Sequence, residues 1–148
     1  MKTFKKLVLM PFMFCLLSCN EQKESATKEE EVSVQVSHDY SEVDEYSLFW
    51  ETMFDVESPN YYVYIYSVSC SHCNELKNYI IGRALSMQNI YFVKGTSKDQ
   101  IGKDANSSKN AENPGDIWIL GYPSLLKITN HKCVKNLAGI NQIKGELK

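Results

Sequence analysis

The 148-residue chain carries 16 Lys and Arg against 18 Asp and Glu, a net charge of −2 that conceals two unlike parts. From Asn20 to Glu57 there are twelve acids and two lysines, whereas from Ser58 to Lys148 there are eleven bases and six acids. The basic residues of the second part are scattered, without an arginine cluster or an interleaved aromatic platform, which argues against nucleic-acid binding and for a solvated surface. The 108 residues after Tyr40 suit one compact domain and not two.

The chain opens on Lys2, Lys5 and Lys6 and then runs uncharged from Leu7 to Leu17, the pattern of a secretory signal. That stretch contains Pro11 and falls short of the roughly 20 residues a permanent transmembrane helix needs. Leu16-Leu17-Ser18-Cys19 resembles the bacterial lipobox, whose cysteine becomes an acylated mature N-terminus. The resemblance implies a lipoprotein signal peptide over 1–18, lipidation at Cys19, and an extracytoplasmic protein lipid-anchored to a bacterial membrane, since two or more acyl chains hold a protein stably there. A plain secreted protein with a chance cysteine near its cleavage site is the alternative. Processing would remove Cys15 and occupy Cys19, leaving Cys70, Cys73 and Cys133: at most one intramolecular disulfide and one thiol over.

Residues 19–40 read as a disordered acidic linker, with His38 a solvated part of it, because a polar, charged stretch cannot bury enough apolar surface to offset the cost of ordering. The domain is expected over 41–148. A helix is predicted from Ser41 or Asp44, with Val43, Tyr46, Phe49, Trp50, Met53 and Phe54 recurring at three- and four-residue steps and Ser58-Pro59-Asn60 ending it. Tyr61 to Tyr66 has the composition of a central buried strand. A helix over Asn74 to Met87, with Leu76, Tyr79, Ile80 and Leu85 inward, leads to a strand at Ile90-Tyr91-Phe92-Val93, making a βαβ unit with parallel strands. The Ser-, Lys-, Asn- and Asp-rich stretch from Gly95 to Gly115 either hides a poor helix or is a functional loop. Ile117 to Leu120 leads into Gly121-Tyr122-Pro123, followed by a strand from Ser124 to Ile128. Asn130-His131-Lys132 turns into a strand from Cys133 to Leu137, and a terminal helix with Ile140, Ile143 and Leu147 inward closes the chain.

Cys70 and Cys73 form a CxxC, a spacing that serves zinc sites, structural bridges and redox sites alike. Its context narrows the choice. The pair sits where a buried strand meets a helix, so Cys70 takes the helix N-terminus, where free N–H groups and the helix dipole favour a thiolate. Cys73, three residues on, lies on the same face within bridging reach. One exposed sulfur and one sheltered sulfur is the division that thiol–disulfide exchange requires.

The strand, Cys70-Ser71-His72-Cys73, helix, strand, Gly121-Tyr122-Pro123-Ser124, hairpin and final helix together resemble the thioredoxin superfamily over 41–148. That resemblance implies an α/β thioredoxin-like fold, a central mixed sheet flanked by helices. It also implies a cis proline at Pro123 beside the active-site pair, and a backbone at Tyr122 that receives an extended substrate peptide. Three departures stand out: Ser69 where reducing members carry Trp, Tyr64 where many place a buried acid, and Ser-His between the cysteines in place of Gly-Pro. His72 is similar to the histidine in the Cys-Pro-His-Cys of periplasmic disulfide oxidases, where it helps stabilise the thiolate, and so tilts the expectation towards an oxidase or isomerase. The expected protein is therefore a thiol–disulfide oxidoreductase without a cofactor or metal, acting through Cys70, Cys73 and His72 on cysteines of exported proteins, with a separate redox partner. The competing reading is a thioredoxin-fold binding module, handling metal or tethering a partner. There Cys70 and Cys73 would be a structural bridge, or ligands joined by His72, His131 or Cys133. Cys133 itself is expected to be a small buried residue.

Overall fold

The computed structural model describes residues 36–96, 100–102 and 104–148. The expected signal segment, Cys19 and the expected linker as far as residue 35 lie outside them.

The aromatic and β-branched run forms β2 (Asn60–Tyr66), which takes the centre of a five-stranded sheet. From it the chain enters α1 (Ser71–Met87) and returns as β3 (Ile90–Lys94), which lies parallel to β2 with Tyr62 opposite Ile90 and Tyr66 opposite Lys94. On the other side of β2 runs β4 (Ser124–Thr129), antiparallel, and beyond it β5 (Lys132–Ala138). Asn130 and His131, at φ of 49° and 58°, make the tight turn between them, the backbone that a two-residue hairpin prefers. The last helix is α2 (Ile140–Glu146). Its Glu146 is held at 3.1 Å by Lys127 of β4 and at 2.7 Å by Lys135 of β5, which ties the end of the chain to the sheet. With a two-residue strand β1 (Ser47–Leu48) on the outer edge of β3, the order is β1-β3-β2-β4-β5. This βαβ unit followed by an antiparallel pair and a helix is the expected thioredoxin-like fold.

Alternation along β2 divides the core in two, because successive side chains of a strand point to opposite faces. Tyr64 and Tyr66 pack with Cys73, Leu76, Ile80, Ile81 and Ala84 of α1 and with Ile143 and Leu147 at the C-terminus. Tyr61, Val63 and Ile65 pack on the opposite face with Met53, Ile117, Ile119, Leu126, Ile128 and Cys133.

That division explains why the single helix expected after Ser41 does not form. Asp39, and not Ser41 or Asp44, caps a 3₁₀ helix over Tyr40–Tyr46 through a capping box with Glu42. The helix breaks at Val43 (φ −122°), the chain extends through β1, and a second short 3₁₀ turn covers Trp50–Thr52. Tyr40, Val43 and Tyr46 belong to the α1 face, whereas Leu48, Trp50, Met53 and Phe54 belong to the other. A continuous helix would hold all of them on one stripe. The chain instead crosses the sheet edge, pairing Ser47 with Phe92 and Leu48 with Val93, and leaves Phe49 78 % exposed at the crossing. The packed chain also begins ahead of Ser41. The His38 backbone N–H donates to Asn78 Oδ1 at 2.9 Å, its ring meets Glu42 at 2.9 Å, and Tyr40 packs into the core.

Two smaller expectations change as well. Leu85 faces solvent, while Ile81 and Ala84 complete the buried stripe of α1. The described part of the stretch after Gly95 holds no α-helix, only 3₁₀ turns at Ala105–Ser108 and Pro114–Asp116. It works as a cover for the free edge of β5: Asn110 N–H donates to Cys133 O at 2.8 Å and Cys133 N–H to Ala111 O at 2.9 Å. Ser108, fully buried, accepts from Trp118 N–H at 2.8 Å and receives the Asn136 side-chain amide at 3.2 Å.

Candidate active site

β2 ends at Tyr66, and a short turn closed by Cys70 N–H to Ser67 O at 3.2 Å delivers Cys70 to the N-cap of α1. Its backbone is extended there (φ −87°, ψ 119°), which aims the side chain back over the first helical turn. Cys70 Sγ accepts the Cys73 backbone N–H at 3.1 Å, the bond by which an N-cap satisfies an otherwise free donor. The sulfur therefore sits at the positive end of the helix dipole. Cys70 is half-buried and Cys73 fully buried. Burial, together with the neighbouring Cys70, pushes the Cys73 thiol up to about 12. Ser71 and His72 between them are exposed. His72 borders an open hollow of about 320 Å³ whose other walls are Glu75, Gly139, Ile140 and Asn141.

The Tyr122–Pro123 peptide is cis. Gly121 precedes it at φ +127°, a conformation that favours glycine, and Ser124 Oγ donates to Gly121 O at 2.6 Å. Because Ser124 pairs with Ile65, Pro123 leads into the sheet at the end of β2 from which Cys70 follows. Tyr122 packs against both core faces, reaches Thr96 O with its hydroxyl, and lies so close over Gly95 that any side chain there would strike its ring. Cys70, Cys73, His72, Tyr122 and Pro123 thus share one end of the sheet.

His131 and Cys133 do not join them. Cys133 pairs with Ile128, which pairs with Tyr61, five residues along β2 from Tyr66, or about 16 Å at strand spacing. Cys133 faces the opposite core, with its S–H donating to Lys135 O at 3.4 Å and its thiol pushed up to about 11 by burial. The His131 ring, at the hairpin, contacts Phe54 O at 2.9 Å. A metal site drawing Cys70 and Cys73 together with either residue is therefore ruled out by geometry. Among the described residues no group of three or more His, Cys, Asp or Glu is arranged to hold a metal ion.

Two further residues stand at the site: Tyr64, marked in the sequence only as the occupant of the position where many members of the resembling family place a buried acid, and Tyr40, given no role there. Tyr64 and Tyr40 lie behind Cys73 in the same core, and both hydroxyls are buried without a well-formed hydrogen bond. Even-numbered alternation along β2 was the signal for Tyr64. Tyr40 gave none, since it stood in the expected linker. Val68, two residues before Cys70, is an apolar side chain left 59 % exposed.

No protein-family model matches the chain, and no curated protein does. Among solved structures it is similar to the crystal structure of Chlamydomonas reinhardtii thioredoxin f2, with a TM-score of 0.44 and 16 % identity over 68 % of this chain and 88 % of that one.

Proposed function

We propose that the protein is an extracytoplasmic thiol–disulfide oxidoreductase, held on a bacterial membrane through Cys19 and acting on cysteines of exported proteins. One observation carries the reading: two cysteines three residues apart are made unequal by the fold, Cys70 half-buried at a helix N-cap and Cys73 sealed in the core. In the reducing direction the Cys70 thiolate attacks a substrate disulfide, forming a mixed disulfide and releasing one substrate thiolate. Cys73 then attacks Cys70 Sγ, the Cys70–Cys73 bond forms, and the second substrate sulfur leaves. Two electrons pass to the substrate. The oxidising direction is the reverse, and a separate dithiol or disulfide partner resets the pair. His72, exposed beside the attacking sulfur, supplies a donor to its thiolate form, and the cis peptide at Tyr122–Pro123 offers backbone for an extended substrate. No cofactor is required.

Replacing Cys73 with Ala is expected to trap mixed disulfides on Cys70, and replacing Cys70 to trap none. Non-reducing gels of both variants check this, and complexes that survive loss of Cys70 would point instead to a binding module. Replacing Cys19 with Ala should move the protein from the membrane to the soluble extracytoplasmic fraction, which fractionation reads directly.

A further inference from the structure

Cys73 must become a thiolate to attack, yet it is fully exposure-free and its thiol is held high by burial. Two groups face it that bear on its charge besides Cys70 and the Ser67 backbone. The Tyr64 phenol, from β2, lies against the Cys73 sulfur, and the Tyr40 phenol, from the 3₁₀ helix, lies against Tyr64. Tyr66 completes the stack, its ring 4.0 Å from Tyr40 and 6.0 Å from Tyr64. Asp39 and Asp44, on the segment carrying Tyr40, bear on Tyr66. The other walls are apolar: Phe92 of β3, Leu125 of β4, Leu76 and Ile80 of α1, and Ile143 of α2.

The two hydroxyls are buried side by side beneath a reactive sulfur, with only each other and that sulfur within reach and neither contact well formed, and a buried hydroxyl so poorly partnered costs stability. We infer that Tyr64, backed by Tyr40, is a positioning residue whose hydroxyl donates a hydrogen bond to the Cys73 thiolate as it forms. The phenol is not a base. Burial lifts Tyr64 far above the usual tyrosine range and above Cys73, so it keeps its proton throughout. The proton lost by Cys73 passes by way of solvent to the departing substrate sulfur, the Cys70–substrate S–S bond breaks, and the Cys70–Cys73 bond forms. The poor contact between Tyr64 and the neutral Cys73 thiol becomes a charge-assisted bond once negative charge reaches the sulfur, which lowers the barrier to resolution without exposing it.

This inference rests on the exchange reading, and its test separates the two. Reduced protein mixed with 5,5′-dithiobis(2-nitrobenzoate) should release one thionitrobenzoate as Cys70 attacks and a second as Cys73 resolves the adduct. In Tyr64→Phe the first phase should stay within twofold, and the second should slow about tenfold at neutral pH. That loss should be recovered by raising the pH about one unit, the size of one charge-assisted hydrogen bond. Tyr40→Phe should shift the second phase in the same direction by less, and Tyr61→Phe, which removes a buried hydroxyl on the other face, should leave it alone. Equal slowing of both phases, or an unmoved second phase, overturns the inference. Independently, the ultraviolet titration of Cys73 in Cys70→Ser should move upward when Tyr64→Phe is added, and no movement overturns it. Absence of a second phase in the parent protein would defeat the exchange reading alone, because that titration still decides the role of Tyr64.

Discussion

The two faces of the sheet each bury one thiol completely, Cys73 against α1 and Cys133 against the turns that cover the far side. Burial raises both thiols, to about 12 and about 11. Their surroundings then diverge. Cys133 donates its S–H to a backbone carbonyl and meets apolar neighbours, with no other cysteine in its core cluster. Cys73 lies one helical turn from a half-buried sulfur at a helix N-cap and against buried phenols. Burial by itself makes a cysteine inert, and what surrounds it decides whether that inertness is packing or the waiting half of a reaction.

The sharpest break of this comparison is chemical. Cys70→Ala should abolish exchange, whereas Cys133→Ala should leave the rate unchanged while costing about 1–3 kcal/mol of stability, the ordinary range for a core truncation. Turnover of a disulfide peptide and urea midpoints check both halves. In the parent protein, alkylation at mildly acidic pH should label Cys70 first. At pH 7 the thiolate fraction of either buried thiol is about one in ten thousand or less, by the distance of its pKa from 7.

A second test uses alkaline pH. Cys73 and Cys133 start from an unfolded value of 9.0, and Tyr61 is pushed by burial from 10.0 to about 12. Each folded value lies above its unfolded value, so unfolding releases protons once the pH exceeds about 9. Their contribution is whole below that point and drains away as the pH climbs towards 11 and 12. Urea midpoints should fall over this window, less steeply in Cys133→Ala.

The smallest expected effect separates two tyrosines of one strand. Tyr61 donates its hydroxyl to Met53 O at 2.9 Å, so Tyr61→Phe strands that carbonyl and should cost about 1 kcal/mol. Tyr64 makes no such bond, and Tyr64→Phe should change stability by less than about 0.5 kcal/mol. Matched denaturation curves read the difference.

Much of this was legible in the residues. The aromatic β2, the CxxC at its exit, the βαβ unit and the Gly-Tyr-Pro before an aliphatic strand carry local signals: strand composition, turn chemistry and helical spacing. The region before Ser58 misled because its apolar residues do recur at helical steps, yet they serve two cores. Spacing reports that a residue is buried and not which face receives it. Tyr40 was hidden for a related reason, since a composition dominated by acids gives no sign of one aromatic ring docked on another.

Outside the region before Ser58 and the stretch after Gly95, the sequence by itself determined which residues can be strand, helix and turn, and it put Cys70 and Cys73 at a strand–helix junction, because those are short-range matters of backbone preference and spacing. The face that Cys133 would take was beyond it. Strict alternation places Cys133 beside Lys135 and Leu137, and Leu137 packs on the α1 face with Cys73. In the folded sheet Lys127 pairs with Lys135 and Ile128 with Cys133, so Val134 bulges out unpaired and reverses the alternation. That one extra residue turns Cys133 into the opposite core, and only the register between β4 and β5, a long-range property of the folded sheet, decides it.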